Sequence, residues 1–182
     1  MVTEKAGGYI SRLEFNTGES LDIKQNDIVV FVGPNNAGKS QSLKDIYTLS
    51  SKKISTIVVS DIEITKSEES LLPLLQSLSS GNDQGSYTNY SVLGHGINYW
   101  KESSDSLFLK DSYYGEFRDL FVANLDTAAR LKICTPPNSI NRNASKQHPI
   151  HYAAFDRKYR KWLSDNFKKA FGIEVTPNTH YG

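Results

Sequence analysis

Eight consecutive residues, Gly33-Pro34-Asn35-Asn36-Ala37-Gly38-Lys39-Ser40, carry the clearest chemistry in the chain. They follow the pattern G-x-x-x-x-G-K-[ST], in which each residue type answers a need of a bound phosphate. Glycine at both ends lets the backbone turn tightly, so that successive N–H groups converge as an anion-binding nest. A helix starting near Lys39 would add the positive end of its dipole beneath the same point. The Lys39 ammonium is a point charge suited to β- and γ-phosphate oxygens, which makes it the candidate catalytic residue, and the Ser40 hydroxyl is a candidate Mg²⁺ ligand. Asn35, Asn36, Ala37 and Gln41 complete the expected phosphate-binding set with Gly33, Gly38, Lys39 and Ser40. Taken alone, the motif leaves open a glycine-rich turn that binds nothing.

The flanks supply the elements that would position these residues. Asp27-Ile28-Val29-Val30-Phe31-Val32 is a continuous apolar run ending at Gly33, which predicts a buried strand. Ser40 to Leu49 places Leu43, Ile46, Tyr47 and the following Ser50 at helical spacing, which predicts a helix with that face inward. Strand, glycine loop and helix in that order are what a phosphate cradle requires.

The spacer between the glycines adds a resemblance. Gly33 to Ser40, read GPNNAGKS after an apolar run from about residue 28, resembles the loop of ABC-type ATPases of the SMC, RecF and OLD (overcoming lysogenization defect) group. Those proteins open with a small β-hairpin, here Tyr9 to Phe15 and Ser20 to Ile23. Asn124 to Leu131, and His148-Pro149-Ile150-His151 followed by a helix ending Lys169-Ala170-Phe171-Gly172, are similar to stretches in OLD-like ATPases of bacterial defence systems. The resemblance implies an α/β P-loop NTPase fold, specifically an ABC-type N-terminal lobe with a β-hairpin packed on a central sheet, over residues 1–182. It implies ATP and Mg²⁺ as ligands and a homo-oligomer formed through the ATPase head. An effector nuclease and DNA are the further partners it suggests, in an antiviral defence or DNA-processing complex. Gln147 becomes the candidate Q-loop glutamine touching Mg²⁺, and Asp126, Thr127 and Arg130 are expected to act together. The chain departs from that group in having no LSGGQ-like signature, no apolar strand ending in Asp-Glu and no switch histidine, so it is expected to stop short of those motifs. Weak or absent turnover by these residues alone is the corresponding expectation. An ATP-gated sensor or scaffold that binds nucleic acid or an effector is the alternative.

Composition bounds the rest. At 182 residues one domain is expected, with enough length for a sizeable core. A formal net charge of +1 gives no mandate for nucleic acid or membrane binding. Cys134 is the single cysteine, which excludes an internal disulfide and suits a reducing cytoplasm; no run approaches a membrane span. Residues 9–32 alternate as three strands, and Arg12 on the hairpin is either a base-contacting or a surface arginine. Ile54 to Val59 predicts a strand leading into Asp61 and Glu63, carboxylates read as strand-end caps or solvated acids before metal ligands. Glu68 to Leu78 predicts a helix broken at Pro73, and Ser79 to Asn89 a surface loop. Val92-Leu93 and Leu107 to Leu109 predict short strands, with Gly94-His95-Gly96 as a turn. A strand ending near Leu125 precedes a helical turn capped by Asp126. Phe155 to Phe171 forms an amphipathic helix stopped by Gly172, with Arg157, Lys158, Lys161, Lys168 and Lys169 opposite the apolar stripe. Ile173-Glu174-Val175 predicts one more strand.

Overall fold

The computed structural model describes residues 6–92, 95–135 and 148–178. Alternation over the first apolar stretch produces β1 (Gly8–Phe15), and Gly18 at φ 88° turns the chain back into β2 (Ser20–Asp22). The two pair antiparallel with Leu13 opposite Leu21, so the hairpin forms where the alternation placed it. The other edge of β1 pairs antiparallel with β3 (Val59–Lys66), which closes a sheet in the order β2-β1-β3.

Against this sheet lies α1 (Lys39–Leu49). Leu13, Leu49, Val59 and Ile62 are its buried core, with Phe31 and Ile46 packed partly against it. The face that α1 buries differs from the expected one. Ser42, Asp45 and Leu49 are buried, whereas Leu43 is largely exposed. The reason is that the buried carboxylate of Asp45 binds backbone N–H groups of residues 57–59, which rotates the helix away from a purely apolar seam.

Two strand expectations fail here. Residues 28–32 pair with no strand among the described residues, and Ile28, Val30 and Val32 are exposed (89%, 70% and 84%), so a buried strand before the loop is not observed. Both sheets contain antiparallel strands only, and neither includes this run, so no central sheet around the loop forms within the described residues. The run Ile54 to Val59 forms a strand only from Val59 onward, because residues 57–59 donate their N–H groups to Asp45 rather than to a neighbouring strand.

The second unit is also antiparallel. α2 (Leu71–Leu78) is capped by Ser70, whose hydroxyl accepts from the Leu72 N–H at 3.2 Å. Pro73 falls in the first turn, where its missing N–H costs no helical bond, so it does not break the helix. The expected surface loop, residues 79–89, is exposed at 80–86 but also supplies β4 (Asn82–Asp83) and the start of β5 (Tyr87–Val92), which with β6 (His95–Trp100) form a sheet. Its polar sequence hides a half-buried alternation: Tyr90 and Ile97 face each other on the core side. Leu107 to Leu109 belong to α3 (Ser104–Lys110), not to a strand, and bury Phe108 among Leu71, Leu75, Tyr114 and Phe117. The chain is thus a mixed α/β protein with small antiparallel sheets.

Lys66, at the end of β3, ties the two units together. Its Nζ donates to the carbonyls of Phe108, Asp111 and Tyr113, each at 2.6 Å, and lies 4.8 Å from the Phe108 ring centroid. Burial lowers its pKa, with the Asp111 charge opposing that shift. Lys66→Met strands three carbonyls; the expected loss is about 2 kcal/mol of stability, read as a lower midpoint in urea denaturation.

Beyond α3 the chain forms a short helical turn (Gly115–Phe117) and α4 (Arg118–Phe121) in place of the expected strand. The cap expected at Asp126 is observed: its Oδ1 accepts from the Ala129 N–H at 2.8 Å and opens α5 (Thr127–Cys134). The helix expected over Phe155 to Phe171 forms as α7 (Arg157–Phe171), ended by Gly172 at φ 72°, and a separate short helix, α6 (Pro149–Phe155), precedes it. No strand forms at Ile173–Val175.

Candidate functional site

The glycine loop sits at the head of α1. Gly33 has φ 152°, Asn36 φ 64° and Gly38 φ 82°, so three of its residues take left-handed backbone. Asn is tolerated there because a short polar side chain meets less strain than a branched one. Gly38 is the N-cap of α1, and no side chain caps this end. The first intrahelical bond runs from the Ser42 N–H to the Gly38 carbonyl at 2.8 Å, so the N–H groups of Lys39, Ser40 and Gln41 precede the helical ladder. Those groups and the helix dipole face the loop, an arrangement suited to an anion.

Lys39 folds back over this loop. Its Nζ donates to the Gly33 carbonyl at 2.8 Å and the Pro34 carbonyl at 2.5 Å, and the residue as a whole is half-buried. An ammonium held by two carbonyls at the loop mouth can exchange them for phosphate oxygens with little loss. Ser40 is exposed on the first turn beside it, placed to offer its hydroxyl. Asn35, Asn36 and Ala37 lie in the turn itself, all exposed. Gln41 differs from the expected role: its side-chain Nε2 donates to Asp45 Oδ1 at 2.7 Å, so only its backbone belongs to the loop. Gln147, the candidate metal-associated glutamine, lies outside the described residues.

Gly38 is fixed by more than its φ. A Cβ added there would come within 3.2 Å of Val58 Cγ2, so residue 58 forms the floor under the loop. Gly38→Ala adds that contact to a strained backbone; about 1–2 kcal/mol of stability is expected to be lost, measured as a fall in melting temperature. The Asp45 carboxylate that secures this floor is the feature the sequence did not flag. Burial pushes its pKa up, but N–H bonds from Val58, the Gln41 amide, Val59 and Ile57 outweigh that and leave it below the ordinary carboxylate range.

Arg12 bonds the Ser20 hydroxyl at 3.0 Å and lies near Glu14 and Asp22, within its own hairpin. Asp61 is paired with Lys53 and accepts from the Tyr113 hydroxyl at 2.9 Å; burial raises its pKa, but the Lys53 and Tyr113 hydrogen bonds hold it lower. It therefore serves the junction of β3 with residue 113. Asp126, Thr127 and Arg130 do come together: Arg130 Nε reaches the Asp126 carbonyl at 3.3 Å and its Nη2 the Thr127 hydroxyl at 3.4 Å, around the helix cap. His95, expected in a turn, lies in β6 with Nδ1 3.4 Å from Asp119 Oδ2. Asp119 also binds Arg118 at 3.0 Å and the Tyr47 hydroxyl at 3.3 Å, which links the far end of α1 to α4.

No family model matches the chain, and no curated protein or solved structure shows significant similarity to it. Among the described residues no helix is long and apolar enough to cross a membrane.

Proposed function

We propose that residues 33–41 bind the triphosphate of ATP together with Mg²⁺, and that the chain is the ATP-binding lobe of an OLD/SMC-like P-loop ATPase. One observation supports the phosphate site, while the OLD/SMC-like assignment rests on the sequence resemblance: an uncapped helix head, a loop with three left-handed residues, and the Lys39 ammonium converge within a single turn. That combination of N–H groups and one cation matches a polyphosphate better than a carboxylate, which needs fewer donors. Lys39 would leave the Gly33 and Pro34 carbonyls for phosphate oxygens, and Ser40 would present its hydroxyl to the cation. Mg²⁺, when bound, neutralises phosphate charge. The nest of N–H groups orients the chain of phosphates, and positioning of this kind is most of what phosphoryl transfer asks of a protein. Hydrolysis further needs a group that orients the attacking water. Turnover by the isolated chain is therefore expected to be weak. The test is thermal: Mg·ATP at saturating concentration should raise the melting temperature, and Mg·AMP, which lacks the β- and γ-phosphates, should not. Equal shifts with both would overturn the assignment.

A role in a defence or DNA-processing complex rests on the sequence resemblance, and one structural observation favours a nucleic-acid contact. Arg157, Lys158, Lys161, Lys168 and Lys169 are exposed along α7, with Lys161 and Lys168 engaged by Asp165 and Glu174. Phosphate tracking by this face predicts DNA binding whose logarithmic salt slope is about −3, for three to four neutralised phosphates. Fluorescence anisotropy across a salt series, with and without Mg·ATP, measures it. No binding at low salt would remove the DNA reading and leave nucleotide binding untouched.

A further inference from the structure

A buried carboxylate in the middle of an amphipathic helix demands a reason. Asp45 is 3% exposed, one turn and a half below the glycine loop. Its Oδ2 accepts from three consecutive backbone N–H groups, Ile57 at 3.2 Å, Val58 at 2.7 Å and Val59 at 3.2 Å. Its Oδ1 accepts from Gln41 at 2.7 Å. Hydrophobic packing alone would place an apolar residue at this position, as Leu49 does one turn further on. What a carboxylate adds is directional: charge-assisted bonds fix the backbone of residues 57–59, not merely their burial.

That segment is the floor of the loop. Val58 Cγ2 lies where a Gly38 Cβ would be crowded, at 3.2 Å. From the opposite side, Asn16 donates its N–H to the Val58 carbonyl at 2.9 Å and its side-chain amide to the Thr56 carbonyl at 3.0 Å. Residues 56–59 are thus pinned between the first helix and the hairpin turn. The same helix that carries Lys39 and Ser40 holds, through Asp45, the surface on which the Gly38 kink rests.

We propose that Asp45 is a positioning residue for the phosphate site: it clamps residues 57–59 beneath Gly38 and thereby holds the loop in its phosphate-binding shape. The proposal rests on the nucleotide assignment above and adds to it the buried group that sets the site's geometry. Gln41 belongs to the clamp through its side chain and to the phosphate site only through its backbone N–H.

Asp45→Asn keeps one acceptor oxygen for residues 57–59 and turns its amide towards Gln41, whose own amide rotates to accept, so the fold is retained while the charge is lost. The expected result is about tenfold weaker binding of a fluorescent Mg·ATP analogue, the scale of exchanging charged for neutral hydrogen bonds. Amide hydrogen exchange at residues 57–59 should accelerate in the same variant. Val58→Ala, which removes the floor without touching the carboxylate, should weaken binding similarly. Leu49→Ala serves as the control: it opens a cavity further along α1 and lowers the melting temperature, yet should keep affinity within about twofold. Wild-type affinity in both Asp45→Asn and Val58→Ala would overturn the clamp, as would an equal loss in Leu49→Ala. Failure of the unmodified chain to bind the analogue would instead sink the nucleotide assignment, and that is seen before any variant is compared.

Discussion

Lys39→Ala is expected to leave a folded chain that no longer binds Mg·ATP. In the structure the ammonium touches the carbonyls of two exposed loop residues, Gly33 and Pro34, so its removal strands no buried group. Stability should therefore change little, and the melting temperature provides that control. Binding should change greatly. Truncating one partner of a close charge pair costs about 2–5 kcal/mol, roughly thirtyfold or more in affinity. Calorimetric titration of both proteins with Mg·ATP reads the difference. Lys39→Arg is informative beside it, because a planar fork does not fit where a compact ammonium lies against two carbonyls, and partial loss is expected. Undiminished affinity in Lys39→Ala would mean that the loop is not the nucleotide site.

The largest stability effect belongs to Asp45→Ala. The N–H groups of Ile57, Val58 and Val59, of which the last is buried, and the Gln41 amide lose their acceptor together, for an expected cost of about 3 kcal/mol. The pH dependence follows from the direction of the shift. Asp45 titrates lower in the folded chain than in the unfolded one, so its contribution is present above the ordinary carboxylate pKa near 4. It is lost as pH falls through the lower folded value. Urea denaturation between pH 7 and pH 3 should show the wild type losing stability at the acid end. The alanine variant starts lower and should lose correspondingly less over the same range. Parallel pH curves for the two proteins would show that the carboxylate is not the stabilising form.

What could be read from the sequence was local. The first hairpin follows from alternation plus a glycine turn, and the Asp126 cap from an acid placed before a helical stretch; both depend on neighbours in sequence. The glycine loop was legible for the same reason, since its motif is eight consecutive residues, whereas the Val58 floor beneath Gly38 was not. What was not legible depends on distant partners. Nothing near Asp45 announces that residues 57–59 will supply its donors, twelve or more positions away. Its neighbours at helical spacing, Gln41, Ser42, Thr48 and Leu49, are mostly polar, so the sequence marks this as an outward face. Residues 79–89, rich in Ser, Gly and Asn, resemble a loop until Tyr90 finds Ile97 across the β5–β6 ladder. Residues 107–109 suit either strand or helix, and the burial of Phe108 between α2 and Tyr114 settles them as helix. The apolar run before the loop is the opposite case: its composition asks for neighbouring strands, and none of the described ones pairs with it.

Whether the loop at Gly33 to Ser40 holds a nucleotide decides every role assigned to Lys39, Ser40 and Asp45. The most direct measurement is a titration of the chain with a fluorescent ATP analogue, in Mg²⁺ and again in excess EDTA. Saturable binding that is markedly tighter with Mg²⁺, and displaced by unlabelled ATP, is the result expected if Lys39, Ser40 and the helix head form a phosphate site. Absence of saturable binding in Mg²⁺, or binding that excess ATP fails to displace, would contradict it.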